Sequence, residues 1–123
     1  MDIAERYAEH AAGHRFEDLP AAVVAATKPL ILDTLGAALV GVTTDTAAIA
    51  FDYCKRMGHS DESTIWGTNQ KFSAPMAAFV NGLLGHAIDF DDWDAFIHAG
   101  HPTCMVAAAA LSLGEVIGSS GKD

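Results

Sequence analysis

From Cys104 to Leu111 every side chain is apolar, inside a stretch that opens at Pro102 and closes at Gly118. A helix that is apolar all round has no face to offer water, so other helices must wrap it. That demand restricts the chain to a multi-helix packing. The segment from Pro20 to Val40 makes the same demand, because Val23, Val24, Leu30, Ile31, Leu32, Leu35 and Leu39 surround its axis and Gly41 ends it. Asp18, just before Leu19-Pro20, reads as its cap, with the proline in the first helical turn. Pro29 lies inside the segment and removes a backbone donor, which predicts a kink or a break there.

Three more helices follow from periodicity. Residues 2 to 12 gather Ile3, Ala4, Tyr7, Ala8 and Ala11 on one face, with Gly13 as the stop. Residues 45 to 57 form another, with Asp45 as a possible cap and Gly58 as terminator. Ser73-Ala74-Pro75 opens a fourth that runs to about Ile88, with Ser73 as cap and Met76, Phe79, Val80, Leu83 and Ala87 on its apolar face. The run Ser63-Thr64-Ile65-Trp66-Gly67 is strand-like, too short to make a sheet without a partner. The fold class is all-α: a bundle of about five helices with one short extended segment, in a single domain spanning 1–123. Five helices cover only part of the apolar surface these segments carry.

Sixteen acidic against seven basic residues leave a formal charge of −9. That field disfavours nucleic acid and anionic lipid as partners. No segment supplies the roughly 20 uninterrupted apolar residues of a membrane span, and the charged start MDIAERYAEH lacks the apolar run of a signal peptide. Cys54 and Cys104 form no CxxC and read as reduced, buried thiols. A cytoplasmic protein is expected. No Walker motif, dinucleotide fingerprint or GxSxG is present.

One region concentrates chemistry. His86-Ala87-Ile88-Asp89-Phe90-Asp91-Asp92-Trp93-Asp94 is followed by Ile97-His98-Ala99-Gly100-His101-Pro102-Thr103, which places four of the sixteen acidic residues and three of the six histidines within it. Gly82, Gly85, His86 and Asp89 share one helix face at i, i+3, i+4, i+7 spacing. The two glycines are accounted for by close helix packing. His101 stands at or just before the start of a helix, where unpaired N–H groups and the positive end of the helix dipole favour an anion. A histidine there can exchange a proton with a bound group, and Asp89 can orient its ring. The pattern suits proton abstraction next to a carboxylate. Solvated aspartates in a loop and a surface cap explain the same residues without chemistry. A metal site is the rival chemical reading, although the spacing matches neither HExxH nor a calcium loop. Cys104, in the first helical turn, is a weaker candidate and reads as core.

NGLLGHAIDFDDW (81 to 93), GHPT (100 to 103), ILDTLGAALVG (31 to 41), STIWG and LGEVIGSSGKD together resemble the MmgE/PrpD family, in order and across essentially the whole chain. The resemblance implies a partial N-terminal helical domain of a larger enzyme, commonly dimeric, so a homo-oligomer is expected. It implies a lyase of the 2-methylcitrate dehydratase type, acting on a small di- or tricarboxylate without metal or other cofactor. Related members include cis-aconitate decarboxylase and an epimerase of iminodisuccinate. Asp89 matches the first aspartate of the family's DFDD run and His101 the histidine of its HP motif, so these two are the expected catalytic residues. His86 and Thr103 are the expected substrate-binding neighbours. Pro29 departs from the family's usual uninterrupted helix. The family's later site residues, a second histidine and a lysine, have no counterpart in these 123 residues. Their positive charge would offset the repulsion between this acidic chain and an anionic substrate. The contrasting class is a non-catalytic helical interaction module, which would self-associate without binding a small ligand.

Overall fold

The computed structural model describes residues 2–95 and 100–123. Helices α1 (Ile3–Gly13), α2 (Ala21–Gly41), α3 (Asp45–Met57), α4 (Ala74–His86) and α5 (Pro102–Ile117) account for most of them. Strands β1 (Ser63–Thr64) and β2 (Lys71–Phe72) pair antiparallel, with Ser63 opposite Phe72 and Thr64 opposite Lys71. The strand-like run thus finds its partner within the chain, eight residues on.

Helix boundaries follow local chemistry. Asp2 and Glu5 close a reciprocal capping box on α1, satisfying two orphan donors at once. Gly118 ends α5 in the left-handed region (φ 67°, ψ 34°), where glycine avoids the Cβ penalty. Several expected caps are replaced. Asp18 belongs to a short 3-10 turn (Phe16–Asp18) and accepts from Arg15 N, so it does not cap α2. Thr44, not Asp45, caps α3 through its hydroxyl to Ala47 N. Ser73 occupies the cap position of α4 without a side-chain cap bond. Glu62 accepts from Ala74 N instead (3.1 Å). The helix ends at His86 rather than near Ile88.

Pro29 does not break α2, which runs unbroken for 21 residues. Nor is α2 buried all round. Its buried residues are Thr34, Ala37, Ala38 and Gly41, while Leu30, Leu32, Leu39 and Val40 remain exposed. Small residues form the stripe that α4 approaches, and the large ones point elsewhere. By length and mean hydropathy α2 is the one described helix that could cross a membrane, yet Lys28 and Asp33 interrupt it and α4 packs on its small-residue face. Helix α1 has no buried residue, so the apolar face of Ile3 and Tyr7 is uncovered.

The core joins Ala38, Ala47, Ala50, Cys54, Ile65, Phe72, Ala77, Val80 and Leu84. Helix α4 lies at its centre, against α2, α3 and α5. A Cβ added at Gly41 would lie 2.1 Å from the Leu84 carbonyl oxygen, and one at Gly85 would lie 3.2 Å from Cys104 Cβ. Asn81, fully buried on α4, accepts from Trp66 N (2.9 Å) and donates to Thr64 O (3.0 Å) and Ser112 Oγ (3.4 Å). One amide therefore fastens the hairpin to two helices. At the far end of α5, Glu115 accepts from Lys71 Nζ (2.8 Å), Thr64 N (2.7 Å) and Thr64 Oγ1 (2.7 Å). These bonds, the Lys71 one foremost, hold its carboxyl down at about 2.

Two predictions test this packing. Gly41→Ala must push α2 off the α4 backbone and should lower stability by about 1–3 kcal/mol, the usual cost of overpacking. Gly36→Ala meets nothing within 4 Å and should gain roughly 0.5–1 kcal/mol; chemical denaturation of both variants checks the pair. Glu115 contributes stability that is present above the ordinary glutamate value of 4.5 and disappears as pH falls through about 2. The gap in melting temperature between the native chain and Glu115→Gln should therefore close across that window.

Candidate active site

The glycine contact sets the site. Gly85 against Cys104 fixes how closely the end of α4 meets the start of α5, and the neighbouring residues are His86 and His101. Their rings lie 4.5 Å apart, inclined at 54°. His86 is the last residue of α4, and the chain then turns with Asp89 N donating to His86 O (3.0 Å). Asp89 is therefore past the helix, with φ 52°, the one described non-glycine residue of positive φ. The expected helix face carrying Gly82, Gly85, His86 and Asp89 stops at His86, and a turn delivers Asp89 instead.

His101 occupies the cap position of α5, with Pro102 in the first turn. Its Nε2 lies 3.4 Å from Asp89 Oδ1. The two expected catalytic residues are thus neighbours. Asp89 is 80 % exposed at its side chain, so it sits at the mouth of the site, with His101 deeper at 25 %. Thr103 is half-buried in the first turn of α5. Ile97 and His98, also part of the conspicuous segment, lie outside the described residues.

The sequence reading missed Asp91. Its side chain is fully buried, and its Oδ1 lies 3.0 Å from His86 Nδ1 and 3.2 Å from His101 Nδ1. The first contact is a hydrogen bond; the second is close enough for charge attraction but out of line for one. Burial opposes the charge on Asp91, yet the His86 hydrogen bond, with the nearby Cys104 thiol, outweighs it and holds the carboxyl below its ordinary range. An ionised carboxylate only accepts, so His86 donates to it through Nδ1. The available signal was the DFDD run itself, but alternation alone does not say which aspartate turns inward.

Cys104 donates to His101 O (3.1 Å). Burial, then the Asp91 carboxylate, push its thiol up to about 11. Position in a first helical turn would acidify a thiol, and here burial and the neighbouring carboxylate win. Beside the histidines an open groove of about 790 Å³ runs between α4 and α5. Phe79, Leu83, Ala87 and Met105 line it, and His86 and His101 stand at one side. Four possible ligand atoms, one each from His86, Asp89, Asp91 and His101, fall within 4.8 Å of one another.

Helix α4 thus ends, and α5 begins, on one shared histidine–aspartate cluster. The profile of the MmgE/PrpD N-terminal domain matches residues 5–123, and the chain belongs to that family. It is 37 % identical over 122 residues to human cis-aconitate decarboxylase, covering 98 % of this chain and 25 % of the relative. It is 32 % identical over 118 residues to the mouse cis-aconitate decarboxylase, covering 94 % of this chain and 23 % of that protein. The chain thus spans about a quarter of the length of the curated relatives it matches.

The thiol chemistry yields a test. Cys104 should resist alkylation at pH 8 and react with a midpoint near 11 rather than the ordinary 9, as followed by mass spectrometry of iodoacetamide-treated, folded protein.

Proposed function

We propose that this chain supplies the acid–base half of a lyase site that moves a proton at carbon next to a carboxylate, in a small di- or tricarboxylic acid. The observation that carries the reading is the His101–Asp89 pair at the mouth of α5, with buried Asp91 behind the histidines. Membership of the family supports the reaction class.

The roles follow from position. His101 is the general acid or base, acting through Nε2, the ring atom on the Asp89 side. Asp89 orients the ring and stabilises its charged form once a proton has arrived. His86 binds substrate from the adjacent ring. The first free N–H groups of α5, including that of Thr103, favour the substrate carboxylate that the proton lies beside. Other carboxylates need cationic partners from elsewhere in the assembled enzyme, since the described residues of this cluster are acidic or imidazole. Apolar surface left open on α2 and α5 fits association with more protein, consistent with a homo-oligomeric enzyme.

Within this class, dehydration of the 2-methylcitrate type removes a carbon-bound proton by a base such as His101, while the C–O bond at the adjacent carbon breaks and the hydroxyl leaves as water with a proton from an acid. Decarboxylation is the second reading, favoured by the names of the two curated relatives; there the same nitrogen returns a proton to carbon after carbon dioxide departs. In both reactions His101 handles the proton at carbon.

His101→Ala in the complete enzyme should lower turnover by about 10²–10⁴-fold, the usual contribution of a general acid–base, with the melting transition retained. Turnover like that of the unaltered enzyme would remove His101 from the mechanism. Assays with 2-methylcitrate and cis-aconitate side by side distinguish the two reactions.

A further inference from the structure

We propose that the His86, Asp89, Asp91 and His101 cluster is a binding site for a divalent transition cation of the zinc class. Three observations converge. The candidate ligand atoms lie within 4.8 Å of one another. Asp91 Oδ1 lies 3.0 Å from His86 Nδ1 and 3.2 Å from His101 Nδ1, close to the ~3.3 Å between neighbouring ligands around a tetrahedral zinc. Asp91, with a side chain fully buried, keeps one oxygen, Oδ2, without a hydrogen-bond partner among the described residues. Such an orphaned buried oxygen is costly unless something electropositive meets it.

Charge and ligand type define the ion. Two carboxylates and two neutral imidazoles carry −2 together, so a divalent cation leaves a neutral cluster that tolerates burial. Two ring nitrogens disfavour calcium and magnesium, which take oxygen ligands, and favour zinc, cobalt or nickel. Asp89 stands at the solvent side and offers the entry. Its turn conformation lets the carboxylate swing without disturbing a helix. A cation held by the Nδ1 atoms displaces the His86 proton that bonds Asp91 and fixes the His101 ring, so it would inhibit the proton transfer proposed above. That consequence rests on the lyase reading; binding itself does not.

The test reads binding rather than turnover. Chelator-stripped protein is titrated with zinc sulfate by calorimetry, and cobalt chloride is followed by its visible absorption. One equivalent should bind, with cobalt bands of a nitrogen–oxygen site. Asp89→Asn leaves the buried residues in place and should weaken zinc at least tenfold, and His101→Ala should abolish the cobalt bands, with circular dichroism verifying the fold. The stacked, exposed His10 and His14 of α1 are the obvious competing site, so His10→Ala/His14→Ala must leave stoichiometry and affinity unchanged. Absence of stoichiometric heat overturns the proposal. So does binding that survives both cluster variants, or that disappears with the α1 pair.

Discussion

How closely two helix backbones can approach governs this structure. Gly41 meets the Leu84 carbonyl and Gly85 meets Cys104, so α2 and α5 press on α4 at distances that leave no room for a side chain. Dispersion and burial at such contacts are strong for their area because the packed atoms are backbone as well as side chain. The result is a site whose two histidines come from different helices yet are spaced by a glycine contact one residue from His86 and three from His101. Packing and chemistry are therefore the same constraint seen at adjacent positions.

Electrostatics then acts within that frame. Asp91 is placed where water cannot reach it, and its ionisation is sustained by the imidazole and thiol around it rather than by solvent. Burial and the same carboxylate suppress ionisation of Cys104, and the carboxylate accepts from Nδ1 of His86. At the other end of α5, Glu115 performs a structural version of this, binding the hairpin by a carboxylate that is never fully removed from water.

Much of this was legible in the sequence, for identifiable reasons. Helix extents followed from glycine stops and 3.6-residue periodicity, and α5 runs from Pro102 to Ile117 as read because proline and glycine bracket it. His101 and Asp89 were legible as a pair because proline fixes where a helix starts. Caps were less legible: Asp18 and Asp45 each had a competitor, and the choice between them depends on backbone angles that composition does not carry. The burial of α2 was overestimated because hydrophobicity gives the amount of apolar surface and not the number of helices available to cover it. Asp91 and Asn81 were missed for a related reason. A polar residue becomes a buried hub only through partners distant in sequence, such as Cys104 for the one and Trp66 and Ser112 for the other.

Asp89 combines two demands that are usually met by different residues. Its backbone occupies the left-handed region, which among residues with side chains is accessible chiefly to asparagine and aspartate. Its carboxylate faces His101. Glutamate would preserve the charge but resist the backbone angle, and glycine would accept the angle but lose the charge. The position therefore has almost no room to drift: the exchange that is conservative by chemistry is the one the main chain refuses, and only asparagine separates the two demands cleanly.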